Sequence, residues 1–68
     1  MEMSVPVVNA LLALTDDSRT EVRTAAIFAL SEGRSEYSRV LEKLLCLTSD
    51  PNEDIKIAAI NALGRLHR

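Results

Sequence analysis

The sequence predicts an all-α fold: four helices forming two stacked antiparallel hairpins of an α-α superhelix. Three observations predict it. The stretch Asp17-Ser-Arg-Thr-Glu-Val-Arg-Thr-Ala-Ala-Ile-Phe-Ala-Leu30 returns thirty-three residues later as Asp50-Pro-Asn-Glu-Asp-Ile-Lys-Ile-Ala-Ala-Ile-Asn-Ala-Leu63. Apolar residues within each copy recur at i, i+3, i+4 and i+7, the spacing of an amphipathic helix. Clusters of turn-forming residues fall between those segments.

Comparing residues 5–35 with 38–68 gives eleven identical positions, among them Leu11/Leu44, Thr15/Thr48, Asp17/Asp50, Ala25/Ala58, Ile27/Ile60 and Leu30/Leu63, with no gap. Roughly two would arise by chance at ordinary composition. A period near 33 is a solenoid signature, in which each unit buries its core against its neighbour. One domain, 1–68, is expected, with repeat one at 4–33 and repeat two at 35–66.

The first helix is predicted over Val5–Leu14, with Val8, Leu11, Leu12 and Thr15 on one face. Pro6 fits its first turn, where the missing N–H costs nothing, and Ser4 is the candidate cap. The second helix follows the break at Thr15-Asp-Asp-Ser. Ser18 and Glu21 have capping-box spacing, and Val22, Ala25, Ala26, Ala29 and Leu30 form the expected buried face. Its alanines let helices approach closely. Ser31–Ser35 is the expected linker between repeats, with Gly33 ending the helix.

The third helix is predicted over about Glu36–Thr48, opened by Ser35 and Glu36 and burying Leu41, Leu44, Leu45 and Thr48. For the fourth, Asp50 is the expected cap, Pro51 the first helical residue and Glu53 the capping-box partner. Ile55, Ala58, Ala59, Ala62 and Leu63 form its buried face.

Sixty-eight residues lie near the lower limit for a self-sufficient core. A hydrophobic fraction of 47% and a charged fraction of 26% belong to a folded chain rather than a disordered one. Net charge is −2, and the only aromatics are one Tyr and one Phe. That balance speaks against nucleic-acid or anionic-membrane partners and against stacking platforms for bases. A single cysteine, Cys46, rules out an internal disulfide and a cysteine zinc cage. The start, Met-Glu-Met-Ser-Val-Pro, lacks a basic region and a cleavable apolar stretch, so no signal peptide and a cytoplasmic protein are expected.

The stretches Glu21-Val22-Arg23-Thr24-Ala25-Ala26-Ile27-Phe28-Ala29-Leu30 and Asp54-Ile55-Lys56-Ile57-Ala58-Ala59-Ile60-Asn61-Ala62-Leu63-Gly64 resemble the second helix of HEAT repeats. The likeness is to the short subtype named from bilin lyases, which reads acidic, x, Glu-Val-Arg, x, Ala-Ala, x, x, Ala-Leu-Gly. Val5-Pro6 followed by Leu11-Leu12 is similar to its first helix. Lys56 and Ser31 depart from the pattern, where Arg and Gly are usual. The resemblance implies that Asp17, Arg23, Asp50 and Lys56 form a structural ladder. The acids accept backbone N–H groups at helix starts, and the bases pair with them between repeats. A carboxylate at a helix N-terminus is stabilising in any case.

No catalytic, cofactor-binding or metal-ligating residue is expected. His67 is the only histidine and has no ligand partner at suitable spacing. The family's metal-dependent hydroxylases use His-Glu pairs, which this sequence lacks. Cys46 lies near Arg39 and Lys43, yet without a resolving thiol or a base it reads as an unreactive edge residue.

Binding is expected on the outer ridge of the second helices. At about 100° per residue, Glu21, Thr24, Phe28 and Ser31 lie opposite the Val22/Ala26 face. The second copy supplies Asp54, Ile57, Asn61 and Gly64. In the family these ridges line the concave surface. Phe28 beside Ile57 could anchor a protein partner, or could equally cover a loop or a neighbouring ridge.

Both ends offer further apolar residues: Val7, Ala10, Ala13 and Leu14 at one, Ile57, Ile60 and Leu66 at the other. The expectation is a non-enzymatic protein-interaction module that self-associates, as a homodimer, or forms part of a longer solenoid. The alternatives are a bilin-lyase-like accessory, implied by the subtype alone, and DNA binding as in HEAT-like alkylpurine glycosylases. Glu21 and Asp54 on the ridge argue against the second.

Overall fold

The computed structural model describes residues 4–33 and 38–66. It contains α1 (Val5–Leu14), α2 (Thr20–Glu32), α3 (Ser38–Leu47) and α4 (Glu53–Leu66), and no strand among the described residues. The all-α fold is the one the repeat predicts. α1 packs on α2 and α3 on α4, giving two hairpins; α2 lies along α4 and α1 meets α3, so the hairpins stack.

The helix ends show what the repeated Thr and Asp do. Thr15 follows α1, and its Oγ1 donates to the Leu12 carbonyl at 2.6 Å. Thr48 does the same to Leu45 at 2.6 Å. Each hydroxyl adds a short bond to a last-turn carbonyl that otherwise takes only the 3.3 Å bond from the same threonine's amide. Asp17 Oδ1 then accepts the Arg19 amide at 2.9 Å, and Asp50 Oδ1 the Asn52 amide at 3.1 Å. These Asx turns redirect the chain into the next helix.

The predicted caps are partly displaced. α4 begins two residues later than expected, with Pro51 ahead of it. Asn52 is its cap: Oδ1 accepts the amides of Asp54 at 2.9 Å and Ile55 at 3.4 Å. Asp50 is committed to the turn and to a cross-repeat ion pair, so it does not cap. α2 opens at Thr20 after Arg19, not at Ser18, and Arg19 makes no side-chain cap bond. Pro6 does sit in the first turn of α1, while Ser4 flanks that helix without a side-chain bond. Ser31 and Glu32 continue α2 and are not linker, because Ser31 is buried and its Oγ donates to the Phe28 carbonyl at 2.7 Å. Gly33 ends α2 in right-handed geometry. The expected start of α3 at Ser35 and Glu36 lies outside the described residues.

The core gathers Val8, Ile27, Leu30, Val40, Leu44, Leu47, Ile55, Ala58, Ala59 and Ala62, with Leu11, Leu12, Leu63 and Leu66 packed against it. The predicted faces differ in two ways: Leu45 and Ala25 are exposed, and Ile27, Val40 and Leu47, outside those faces, are buried. The reason is directional. Val40 is fully buried whereas its equivalent Val7 is 48% exposed, and Ile27 is fully buried whereas Ile60 is 53% exposed. Residues of repeat one that face repeat two (Val8, Ile27, Leu30) are covered, as are residues of repeat two that face back (Val40, Leu47, Ile55, Ala58). Their counterparts at the outer ends lie wholly or partly open to solvent.

Candidate functional site

α2 and α4 lie side by side and leave a groove of about 370 Å³ between them, lined by Thr20, Glu21, Thr24, Phe28, Asp54, Ile57, Ala58 and Asn61. All six ridge residues singled out in the sequence (Glu21, Thr24, Phe28, Asp54, Ile57 and Asn61) share this one groove. Their spacing of three and four residues puts each set on one helix face. Ser31, expected on the same ridge, instead points into the core, and Gly64 is exposed outside the groove.

The chemistry of the groove is apolar with an acidic edge. Phe28 is 43% exposed and Ile57 52%, each large enough to lose substantial apolar area to a partner. Thr24 Oγ1 bonds back to the carbonyls of Thr20 and Glu21, each at 3.0 Å, so its own helix satisfies the hydroxyl. Thr20 is fixed from across the repeat boundary, where Asn52 Nδ2 donates to its Oγ1 at 3.0 Å. Among the described residues, Glu21 and Asp54 are the only ionisable ones in the lining, and both are acidic.

Behind the groove runs the seam between the repeats. Arg23 Nη2 meets Asp50 Oδ2 at 2.9 Å, with both side chains less than a fifth exposed. Arg23 Nε donates to the Thr15 carbonyl at 2.7 Å, tying together the end of α1, α2 and the α3–α4 turn of repeat two. The Arg23 hydrogen bond, helped by the Asn52 amide, holds the Asp50 carboxyl below its ordinary value. Asp17, the equivalent acid, is lowered by the Arg19 amide and side chain. Its ion pair with Arg19, 3.3 Å, is local, as is that of Lys56 with Glu53, 3.9 Å. The four ladder residues thus form one cross-repeat rung, Arg23–Asp50, with Asp17 and Lys56 at the two open ends.

Further contacts cross the seam where the sequence offered no signal: Lys43 to Asp16 at 2.8 Å, Arg65 to Glu32 at 3.1 Å, and Arg39 to Asn9. Thr20 and Ala58 of the groove were missed as well. Thr20 precedes Thr24 by one turn and could have been added; Ala58 reads as core and is floor.

Cys46 is exposed, and its cationic neighbours Arg39 and Lys43 are engaged with Asn9 and Asp16. Among the described residues no group of three or more His, Cys, Asp or Glu is placed to hold a metal ion. His67 lies outside the described residues. No described helix is long and apolar enough to cross a membrane.

The repeat, the stacked hairpins and the cross-repeat rung define an α-solenoid unit. A family comparison matches HEAT repeats over residues 7–67, and the chain belongs to that family. The match is to HEAT repeats at large and does not separate out the bilin-lyase subtype. No curated protein and no solved structure matches the chain. HEAT repeats generally mediate protein–protein interaction and are typically non-enzymatic scaffolds.

Proposed function

We propose that this chain is a protein-interaction module that receives an apolar, basic-flanked helix or strand segment in the α2–α4 groove. The observation that carries the reading is the pairing of half-exposed Phe28 and Ile57 over an alanine floor, beside Glu21 and Asp54. Apolar side chains of a partner would displace water from Phe28 and Ile57, while flanking Lys or Arg would meet the two carboxylates. Fold alone would not assign this role; the composition of the groove supports it. The open ends support a companion reading, association with further repeats of its own or of a longer array.

A synthetic peptide with leucines at i and i+4 flanked by lysines provides the test, titrated into the isotope-labelled chain. The expected result is amide shift changes concentrated at Thr24, Phe28, Ile57 and Asn61, much weaker when glutamates replace the lysines. Changes scattered away from the groove, or equal for both peptides, would contradict the reading.

A further inference from the structure

We infer that the chain stacks head to tail on a second copy of itself. The α3–α4 end of one copy seats on the α1–α2 end of the next, in the arrangement that already seats repeat two on repeat one. The surface is separate from the α2–α4 groove, and the inference stands without any groove ligand.

The intramolecular seam is the template, because a gapless 33-residue shift maps each of its residues onto the open ends. On the trailing end, Leu41, Ile60 and Leu63 stand where Val8, Ile27 and Leu30 face the seam. On the leading end, Val7, Leu14, Val22 and Ala25 stand where Val40, Leu47, Ile55 and Ala58 face it. Side-chain volume is kept: Leu41 for Val8 adds about one methylene, and Val22 for Ile55 removes about one, the kind of compensation that cores accept. Gly64 for buried Ser31 adds no bulk.

The charges are complementary as well. The rung Arg23–Asp50 becomes Lys56 on Asp17 of the next copy, a basic and an acidic residue whose present ion pairs are both local. Arg65 and Glu32 pair across the seam at 3.1 Å and occupy the same repeat position, so copies in series alternate Glu, Arg, Glu, Arg. Thr20 and Asn52, hydrogen-bonded at the seam, are replaced by Glu53 and Arg19, which are oppositely charged. The two remaining pairs, Lys43–Asp16 and Arg39–Asn9, give way to Ala10 with Ser49 and Pro6 with Glu42, and no like charges meet.

Such an interface joins two different surfaces, so it does not close at two copies. Solution mass should therefore climb with concentration, without a plateau at the dimer, over about two decades of concentration. Val7→Glu blocks the leading end and Ile60→Glu the trailing end, each at a position exposed in the single copy. Each variant alone is expected to stay monomeric with unchanged helicity, and an equimolar mixture to form a species that stops at two. Lys56→Asp should weaken stacking, and the added Asp17→Lys should restore it. Phe28→Ser should leave the mass unchanged, which separates this test from the groove reading. A monomer throughout, a closed wild-type dimer, or association indifferent to both end variants would overturn the inference.

Discussion

Arg23 joins two repeats and two helix ends at once: its guanidinium meets Asp50 at 2.9 Å while its Nε holds the Thr15 carbonyl at 2.7 Å. The fork geometry of arginine makes both bonds possible, and lysine offers only one point charge. Arg23→Ala is expected to destabilise the chain by ~2 kcal/mol through the charged bond to the carbonyl alone. Arg23→Lys should recover only part of that loss. Chemical denaturation of the three proteins checks it; equal stability of all three would remove the rung from the account.

Asp50 and Asp17 both titrate below the ordinary value of 3.8 in the folded chain. A lowered folded value means that the folded state binds its proton more weakly than the unfolded chain does. The stabilisation is therefore complete above 3.8 and is lost as pH falls through the lower folded values. Melting followed from neutral to acid pH should show this loss, and Asp50→Asn should flatten the acid limb while lowering stability at neutral pH.

The directional burial predicts unequal outcomes for identical substitutions. Ile27→Ala empties a fully buried site, and a loss of about 2–5 kcal/mol would consume much of the stability of so small a domain. Ile60→Ala, its repeat equivalent and 53% exposed, should cost under about 1 kcal/mol at dilution. Equilibrium unfolding at low protein concentration distinguishes them, and comparable losses would contradict the assigned seam.

Gly64 lies inside α4, and a Cβ built there meets nothing within 4 Å. Gly64→Ala removes the entropic cost of glycine in a helix and should stabilise the chain by ~0.5–1 kcal/mol. A raised melting temperature is the expected readout.

Much of this architecture was legible in the chain. Pro6, the Thr15 and Asp50 turns and the alternating apolar faces place the four helices, and the repeat places the hairpins against one another. The groove residues were legible too, because Phe28 and Ile57 are apolar at positions that helical spacing turns away from the core. The misplacements share one physical cause. Leu45, Ala25 and Ser31 belong to faces whose burial depends on which neighbouring repeat is present, and a single-helix pattern cannot encode that. Asn52 displaced Asp50 as cap because the Asp50 carboxylate is taken by the Asx turn at Asn52 and by Arg23, twenty-seven residues away.

The seam holds the two repeats together, and the α2–α4 groove is the proposed partner surface. The most direct test is the affinity of Phe28→Ser for the lysine-flanked leucine peptide, with melting followed in parallel. Because Phe28 is 43% exposed, stability should fall by no more than about 1.5 kcal/mol and the chain should stay folded, while affinity should fall about tenfold or more. Unchanged affinity in a folded variant would contradict the groove as the binding surface.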